Sequence, residues 1–397
     1  MAPSSETIEE ASLRIARLVE QERRTQPKAA KAGDIVPNVE AITCEWLSAV
    51  LCREVAGTEV VDFDISLVSA GTHARHRLHL TYNQNVAATA LPTTLFSKTL
   101  PTVQNRMMVG MTGHARTEGR FYTQMRPELN LEIPVCYHST VDRASCAAIH
   151  LLEDLVATKD ATFADYETVV TLEMAEDMVE LLGGVHGHFY DDPRFDNELK
   201  WIARFTRWFM GGVTKLRVDE STETALTQAA HCIPARLLAR RNEIWPATMA
   251  ALKIHEQYPE TFLHSDVHIG NWYQTDTGRM GLCDWQCAGR GHWSRDLAYV
   301  ISAALRIDDR RNWEKELVRR YLARLEETSG QAFDFDDAWL FYRQQMFHAL
   351  LNWTPTLCPS ELLPAAMQTE EMSLTMIERM TAAIDDLDSL DSCKGLL

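Results

Sequence analysis

Apolar residues recur at helical spacing among charges from Ile8 to Arg24, predicting an N-terminal helix, and the Lys/Ala/Gly/Pro-rich stretch after it, as far as Pro37, reads as a linker. From Asp62 to Thr99 the period changes. Short β-type runs, Phe63 to Val68, Arg77 to Tyr82 and Ala90 to Lys98, are broken by Gly71 and by Asn83 to Asn85, which predicts an antiparallel meander. Gly113 to Met125 then reads as a helix, and Val135 to Ser139 and Ala147 to Leu152 as two further strands, so a small α+β lobe ends near Leu155. Beyond Phe163 the period is mainly helical, over Tyr166 to Leu182, Glu198 to Met210, Glu223 to Gln257, Arg311 to Glu327, Asp336 to Leu351 and Glu370 to Leu387. The one clear interruption, Thr261 to Trp285, has two apolar strands flanking the turn Asp276-Thr277-Gly278. The expected organisation is an N-terminal helix and arm over residues 1–40, a sheet lobe over 41–155 and a larger helical lobe over 156–397.

Composition narrows what such a chain can do. With 397 residues, 46% of them hydrophobic, it exceeds one ordinary core and can fill two lobes. A formal charge of −17 disfavours nucleic acid and anionic membrane surfaces as partners and leaves small ligands or metal ions. The nine cysteines are scattered, with no C-x-x-C, so neither a disulfide framework nor a zinc site is expected and a reducing cytoplasm fits. No apolar run approaches the ~20 residues of a membrane span, and neither membrane insertion nor secretion is expected.

The chemistry concentrates in Leu263-His264-Ser265-Asp266-Val267-His268-Ile269-Gly270-Asn271-Trp272, an H-x-D-x-x-x-x-N pattern, and in Asp284 at the end of the hairpin after it. Phosphoryl transfer needs such a set: a carboxylate to take the hydroxyl proton, and an amide with a second carboxylate to hold magnesium across the phosphates. On this reading Asp266 is the base and Asn271 and Asp284 are metal ligands. Aspartate and asparagine also serve as plain turn and cap residues, and His268 alone is more often structural. A metal hydrolase using His264, Asp266 and His268 as ligands is the other chemical reading, but it leaves Asn271, Asp284 and the sheet lobe without a role.

The segment resembles the catalytic loop of the aminoglycoside phosphotransferase and choline kinase superfamily, and Leu151-Leu152-Glu153-Asp154-Leu155 is similar to its interlobe hinge. Within it the spacing most resembles the ecdysteroid-kinase-like, or CHK-kinase-like, branch, over roughly Asp62 to Leu351. The resemblance implies a protein-kinase-like two-lobe α+β fold: an antiparallel-sheet N-terminal lobe, a larger helical C-terminal lobe, and ATP with Mg2+ bound between them. It implies that Lys98 binds the α- and β-phosphates and is oriented by Glu118. It also implies that Glu153 and Leu155 meet adenine through their backbones, and that Asp296 buttresses the catalytic loop. A surface lysine, a surface glutamate or a helix N-cap would look the same in sequence. The turn Ser69 to Arg75 departs from the G-x-G-x-x-G of protein kinases, having one glycine, which leaves open which amides hold the β-phosphate and whether Thr72 or Arg75 helps.

The resemblance further implies that the acceptor sits against the helical lobe, here rich in aromatics: Trp201, Phe205, Trp208, Phe209, Trp293, Trp339, Tyr342, Phe347 and Trp353, with Gln345, His348 and Asn352 to supply polar contacts. Most large aromatics are core, whatever else they do. The stretch from Tyr342 to Trp353 carries no acid to receive a polycation. A lipophilic or ring-bearing alcohol is therefore the first expected acceptor, a choline-like amine alcohol the second and an aminoglycoside the third. The competing class is a nucleotide-binding pseudokinase with a regulatory role. Pseudokinases commonly lose the lysine, the base or a metal ligand, and all of these are present.

Overall fold

In the computed structural model, which describes residues 6–360 and 368–396, the chain divides into two units. One comprises Met1–Ala161 with Asp284–Cys287, the other Thr162–Cys283 with Ala288–Leu397.

The first unit begins with helix α1 (Ile8–Thr25), started by a capping box in which the Thr7 side chain accepts from the Glu10 N–H and the Glu10 carboxylate accepts from the Thr7 N–H. Its apolar stripe, Ala11, Ile15 and Val19, is buried. The stretch that reads as a linker is packed, with Ala29 and Val36 in one core with Trp46 and Leu47 of helix α2 (Cys44–Leu51), which Thr43 caps. Periodicity does not reveal α2 because its eight residues are too few and too apolar to show a polar face.

Five strands, β1 (Val60–Ala70), β2 (Ala74–Tyr82), β3 (Thr94–Thr99), β4 (Cys136–Val141) and β5 (Ala148–Glu153), form one antiparallel sheet in the order β1-β2-β3-β5-β4. In this register Lys98 of β3 lies opposite Arg75 of β2 and His150 of β5. The expected helix after Gly113 is present as His114–Arg120, which continues in a wider π turn to Met125. Gly113 opens it at φ 90°, a conformation side-chain-bearing residues avoid.

In the second unit the long helix expected over Glu223 to Gln257 is three helices, Val218–Gln228, Ala235–Ala239 and Ile244–His255. Pro234 accounts for the first break, since it has no N–H to donate and disfavours a helical residue before it. The helices Ile307–Ser329 and Glu370–Asp386 lie near their expected places, Leu172–His188 and Phe205–Leu216 begin six and seven residues later than expected, and the helix expected over Asp336 to Leu351 is two, Phe335–Gln344 and Met346–Leu357. The helix Ser294–Ala304 is buried along its whole length, so no amphipathic stripe marks it. The interruption is a hairpin as expected, Trp272–Gln274 pairing with Met280–Leu282.

Arg106 ties the N-terminal segments to the sheet unit. Its guanidinium is fully buried, 2.6 Å from Glu22 of α1, and donates to the Leu100 carbonyl at 2.9 Å. Removing one partner of such a pair strands a buried charge. Arg106→Ala is expected to lower stability by about 3 kcal/mol, measured as the shift in urea midpoint at constant slope.

Candidate active site

Lys98, near the end of β3, is the centre of the first unit's polar set. Its side chain is 4% exposed, and its Nζ lies 2.6 Å from Glu118 Oε1 and 3.0 Å from Asp284 Oδ1. Glu118 reaches it because the next residue is glycine: a Cβ at 119 would collide with Ser139 Oγ and lie 3.2 Å from the His150 ring, so only Gly119 lets the helix approach the sheet this closely. Asp284 is held by Trp285, whose indole stacks on Phe121 with ring centroids 4.0 Å apart. Its φ of 64° is unusual for a residue with a side chain and marks backbone strain of the kind kept at functional sites.

Charge follows this geometry. Burial opposes the Lys98 ammonium, but Asp284 and then Glu118 outweigh it and raise its pKa above the ordinary lysine value. Burial pushes the Glu118 carboxyl up, with Lys98 pulling it back. Asp284 goes the other way, since Lys98, His73 and Arg75 overcome burial and hold its carboxyl well below the usual range. Arg75 lies 3.8 Å from the second Asp284 oxygen. His73, fully buried, is held well below the usual histidine value by burial and then by Lys98.

At the hinge candidate, the Glu153 side chain accepts from the Val135 N–H at 3.1 Å and the Thr158 hydroxyl at 3.0 Å, so it braces its own strand. Leu155 is buried at the start of the short helix Leu155–Lys159. Between them Asp154, buried, takes two bonds from Arg77 of β2, a contact that sequence spacing does not disclose.

The second unit holds Asp266 and Asn271 on one loop. His264 spends both ring nitrogens on it: Nδ1 accepts from the Asp266 N–H at 3.2 Å, so Nε2 carries the proton, which faces the Cys283 carbonyl at 2.9 Å. It is therefore not available as the metal ligand of a hydrolase, and among the described residues no cluster of three or more His, Cys, Asp or Glu is placed to hold a metal ion. Ser265 sits at φ 71°. Asp296 holds this strained turn, accepting from the N–H of His264 at 2.7 Å and of Ser265 at 3.2 Å. Burial alone would raise the Asp296 carboxyl, but His186, Arg295 and His264 outweigh it and depress its pKa. Asn271 donates through Nδ2 to the Asp266 carbonyl at 2.8 Å, which leaves its amide oxygen as the end to offer a cation.

Around Asp266 the structure adds residues absent from the sequence motif. The Tyr299 hydroxyl faces Asp266 Oδ1 at 3.4 Å, while Trp353 Nε1–H donates to the Tyr299 oxygen at 2.9 Å. An indole can only donate, so the tyrosine hydrogen is left for Asp266. Tyr299 follows Asp296 by three residues on one helix, a spacing that shares a face and was the available signal. His268 Nε2 is 3.8 Å from Asp266 Oδ2. Of the aromatic residues expected around the acceptor, Phe205, Phe209, Trp293, Tyr342, Phe347 and Trp353 are buried, and Trp208 lies outside the described residues.

Residues 112–335 match the model of the phosphotransferase enzyme family. No curated protein matches the sequence. Among solved structures, the chain is similar to a Plasmodium vivax ethanolamine kinase at 9% identity and TM-score 0.45, covering 94% of each chain. It is similar to a choline kinase from Streptococcus pneumoniae at 12% identity and TM-score 0.45, covering 86% of this chain and 97% of that one. A macrolide 2′-phosphotransferase from Brachybacterium faecium gives 14% identity and TM-score 0.43, over 78% and 91%. At these values the structural likenesses carry nothing about substrate. The fold agrees with the expected protein-kinase-like α+β class, a five-stranded antiparallel sheet in one unit and a larger helical unit.

Because the Asp296 pKa is depressed in the folded state, its stabilisation is present above its unfolded value, about 3.9, and is lost as pH falls through the folded one. Asp296→Asn is expected to cost about 2 kcal/mol at pH 7. The gap to the unsubstituted protein should narrow below about pH 4, as read by denaturant titrations at both pH values.

Proposed function

The chain belongs to the phosphotransferase enzyme family, whose model matches more than half of it, and is a small-molecule kinase; we propose that its donor is ATP, its metal Mg2+ and its acceptor the hydroxyl of a lipophilic or ring-bearing alcohol. The observation that carries this is the buried lysine shared by two carboxylates from distant parts of the chain, 20 and 186 residues away. A lysine that far out of water, poised beside a strained aspartate, is built for a polyanion and a cation rather than for stability alone.

In this reading Lys98, oriented by Glu118, binds the α- and β-phosphates as a compact positive charge. Glu153 and Leu155 meet the adenine through their backbone C=O and N–H. Asp284 and Asn271 fit a hard cation, one offering a carboxylate held charged by its neighbours and the other an amide oxygen. Magnesium, when bound, neutralises charge across the phosphates. Asp266 orients the acceptor hydroxyl and takes its proton. Tyr299 engages Oδ1 and leaves Oδ2 as the basic oxygen. The rings of Tyr299, Trp353 and His268 around this carboxylate support an apolar or ring-bearing acceptor. We place the chain in the ecdysteroid-kinase-like branch on its loop spacing. We place it in a reducing cytoplasm because its nine cysteines are scattered and form no C-x-x-C.

A base and a metal ligand fail differently. Asp266→Ala should cut kcat by ~10²- to 10⁴-fold while keeping the rise in melting temperature that Mg-ATP gives. Asp284→Ala should lose most of that rise, which at ~100 times Kd corresponds to about 2.7 kcal/mol, and Asn271→Ala should lose part of it. Near-normal turnover in Asp266→Ala, or equal loss of the thermal rise in both aspartate variants, contradicts the assignment.

A further inference from the structure

A phosphate loop built on glycine works through backbone amides brought close to the anion. The turn between β1 and β2 spends its glycine amide within itself. Its one glycine, Gly71, donates its N–H to the His73 carbonyl at 3.0 Å, and Asn105 Nδ2 ties down the carbonyls of Gly71 at 2.7 Å and Thr72 at 3.0 Å.

What the turn presents instead is side chains. His73 closes the bend before β2 and Arg75 follows it on the strand; both act on the Asp284 carboxylate, and Arg75 stands directly opposite Lys98 in the β2–β3 register. Two cations facing each other across an antiparallel pair repel. Here they share Asp284, Lys98 at 3.0 Å from one oxygen and Arg75 at 3.8 Å from the other. The imidazole of His73 is fully buried, and neither of its ring nitrogens has a partner among the described residues. Native proteins seldom leave such a group unpaired unless something else completes it.

A charge count says what that is. Lys98 and Arg75 balance Glu118 and Asp284. A divalent cation held by Asp284 would leave the cluster with two excess positive charges. The group that restores balance is an anion with several oxygens on the face that Lys98 and Arg75 share. The Arg75 side chain is 26% exposed and can meet it with a planar fork of donors.

We propose that Arg75, assisted by His73, forms a side-chain clamp for the β- and γ-phosphate oxygens of the nucleotide, in the place where a glycine-rich loop would use amides. This rests on the nucleotide reading above. Arg75 supplies the two-pronged cationic contact, and His73 a ring N–H donor beside it.

Calorimetric titration with Mg-ATP, Mg-ADP, AMP and adenosine tests it without an acceptor. Arg75→Ala should weaken Mg-ATP about tenfold or more and Mg-ADP less, with AMP and adenosine unchanged. Arg75→Lys should recover only part of the loss, because a point charge lacks the fork. His73→Asn should show the same order of nucleotides with a smaller effect, and its melting curve without nucleotide reports whether it folds. Mg-ATP binding as tight in Arg75→Ala as in the unsubstituted protein overturns the clamp, and so does an equal loss for adenosine. If the unsubstituted protein binds neither Mg-ATP nor adenosine, the nucleotide reading itself fails. If it binds both and Arg75→Ala is silent, only the clamp does.

Discussion

A lysine with 4% of its side chain exposed must find its counter-charges inside the protein, and the demand that Lys98 makes shapes the unit around it. One partner comes from the helix after Gly113, which can approach only because residue 119 has no Cβ. The other comes from far along the chain, where the segment Asp284–Cys287 joins the first unit and is pinned by the Trp285–Phe121 stack. Replacing such a set with apolar residues would often be neutral or stabilising, so its presence speaks for function. The strained backbone of Asp284 points the same way.

The loop in the second unit is governed by a comparable economy of donors. His264 is locked into one tautomer by the two bonds it makes, Asp296 collects the amides of a left-handed turn, and Asn271 fixes the carbonyl of Asp266 while its oxygen stays outward. None of these contacts touches a reacting group in the proposed chemistry. Together they set where Asp266 and Asn271 can be. The Trp353–Tyr299 chain goes one step further by assigning the direction of a hydrogen, because the indole cannot accept.

Much of this is legible in the sequence because local rules write it. The five strands follow from alternation and turn residues, and the hairpin from Asp276-Thr277-Gly278. Asp266, Asn271 and Asp284 stand out in the sequence through the H-x-D-x-x-x-x-N pattern and the hairpin after it, and their roles are proposed from what phosphoryl transfer uses. Helix α2 escapes because eight residues are too few to set a period, and Ser294–Ala304 because it is buried along its whole length. The break at Pro234 was present in the sequence and outweighs the helical period on both sides of it. Long-range pairings such as Arg77–Asp154 and Arg106–Glu22 cannot be read from spacing at all. The same holds for Arg75 opposite Lys98, which becomes visible only once strand register is known.

The central claim is that this chain moves a phosphoryl group from ATP to an organic hydroxyl. The most direct measurement is incubation of the purified protein with γ-labelled ATP and magnesium against a panel of steroid, other ring-bearing, choline-like and aminoglycoside alcohols, with chromatographic tracing of the label. The account predicts label on an alcohol of the lipophilic or ring-bearing class, dependent on Asp266. Label that stays on ATP or reaches only inorganic phosphate with every alcohol in the panel would contradict it.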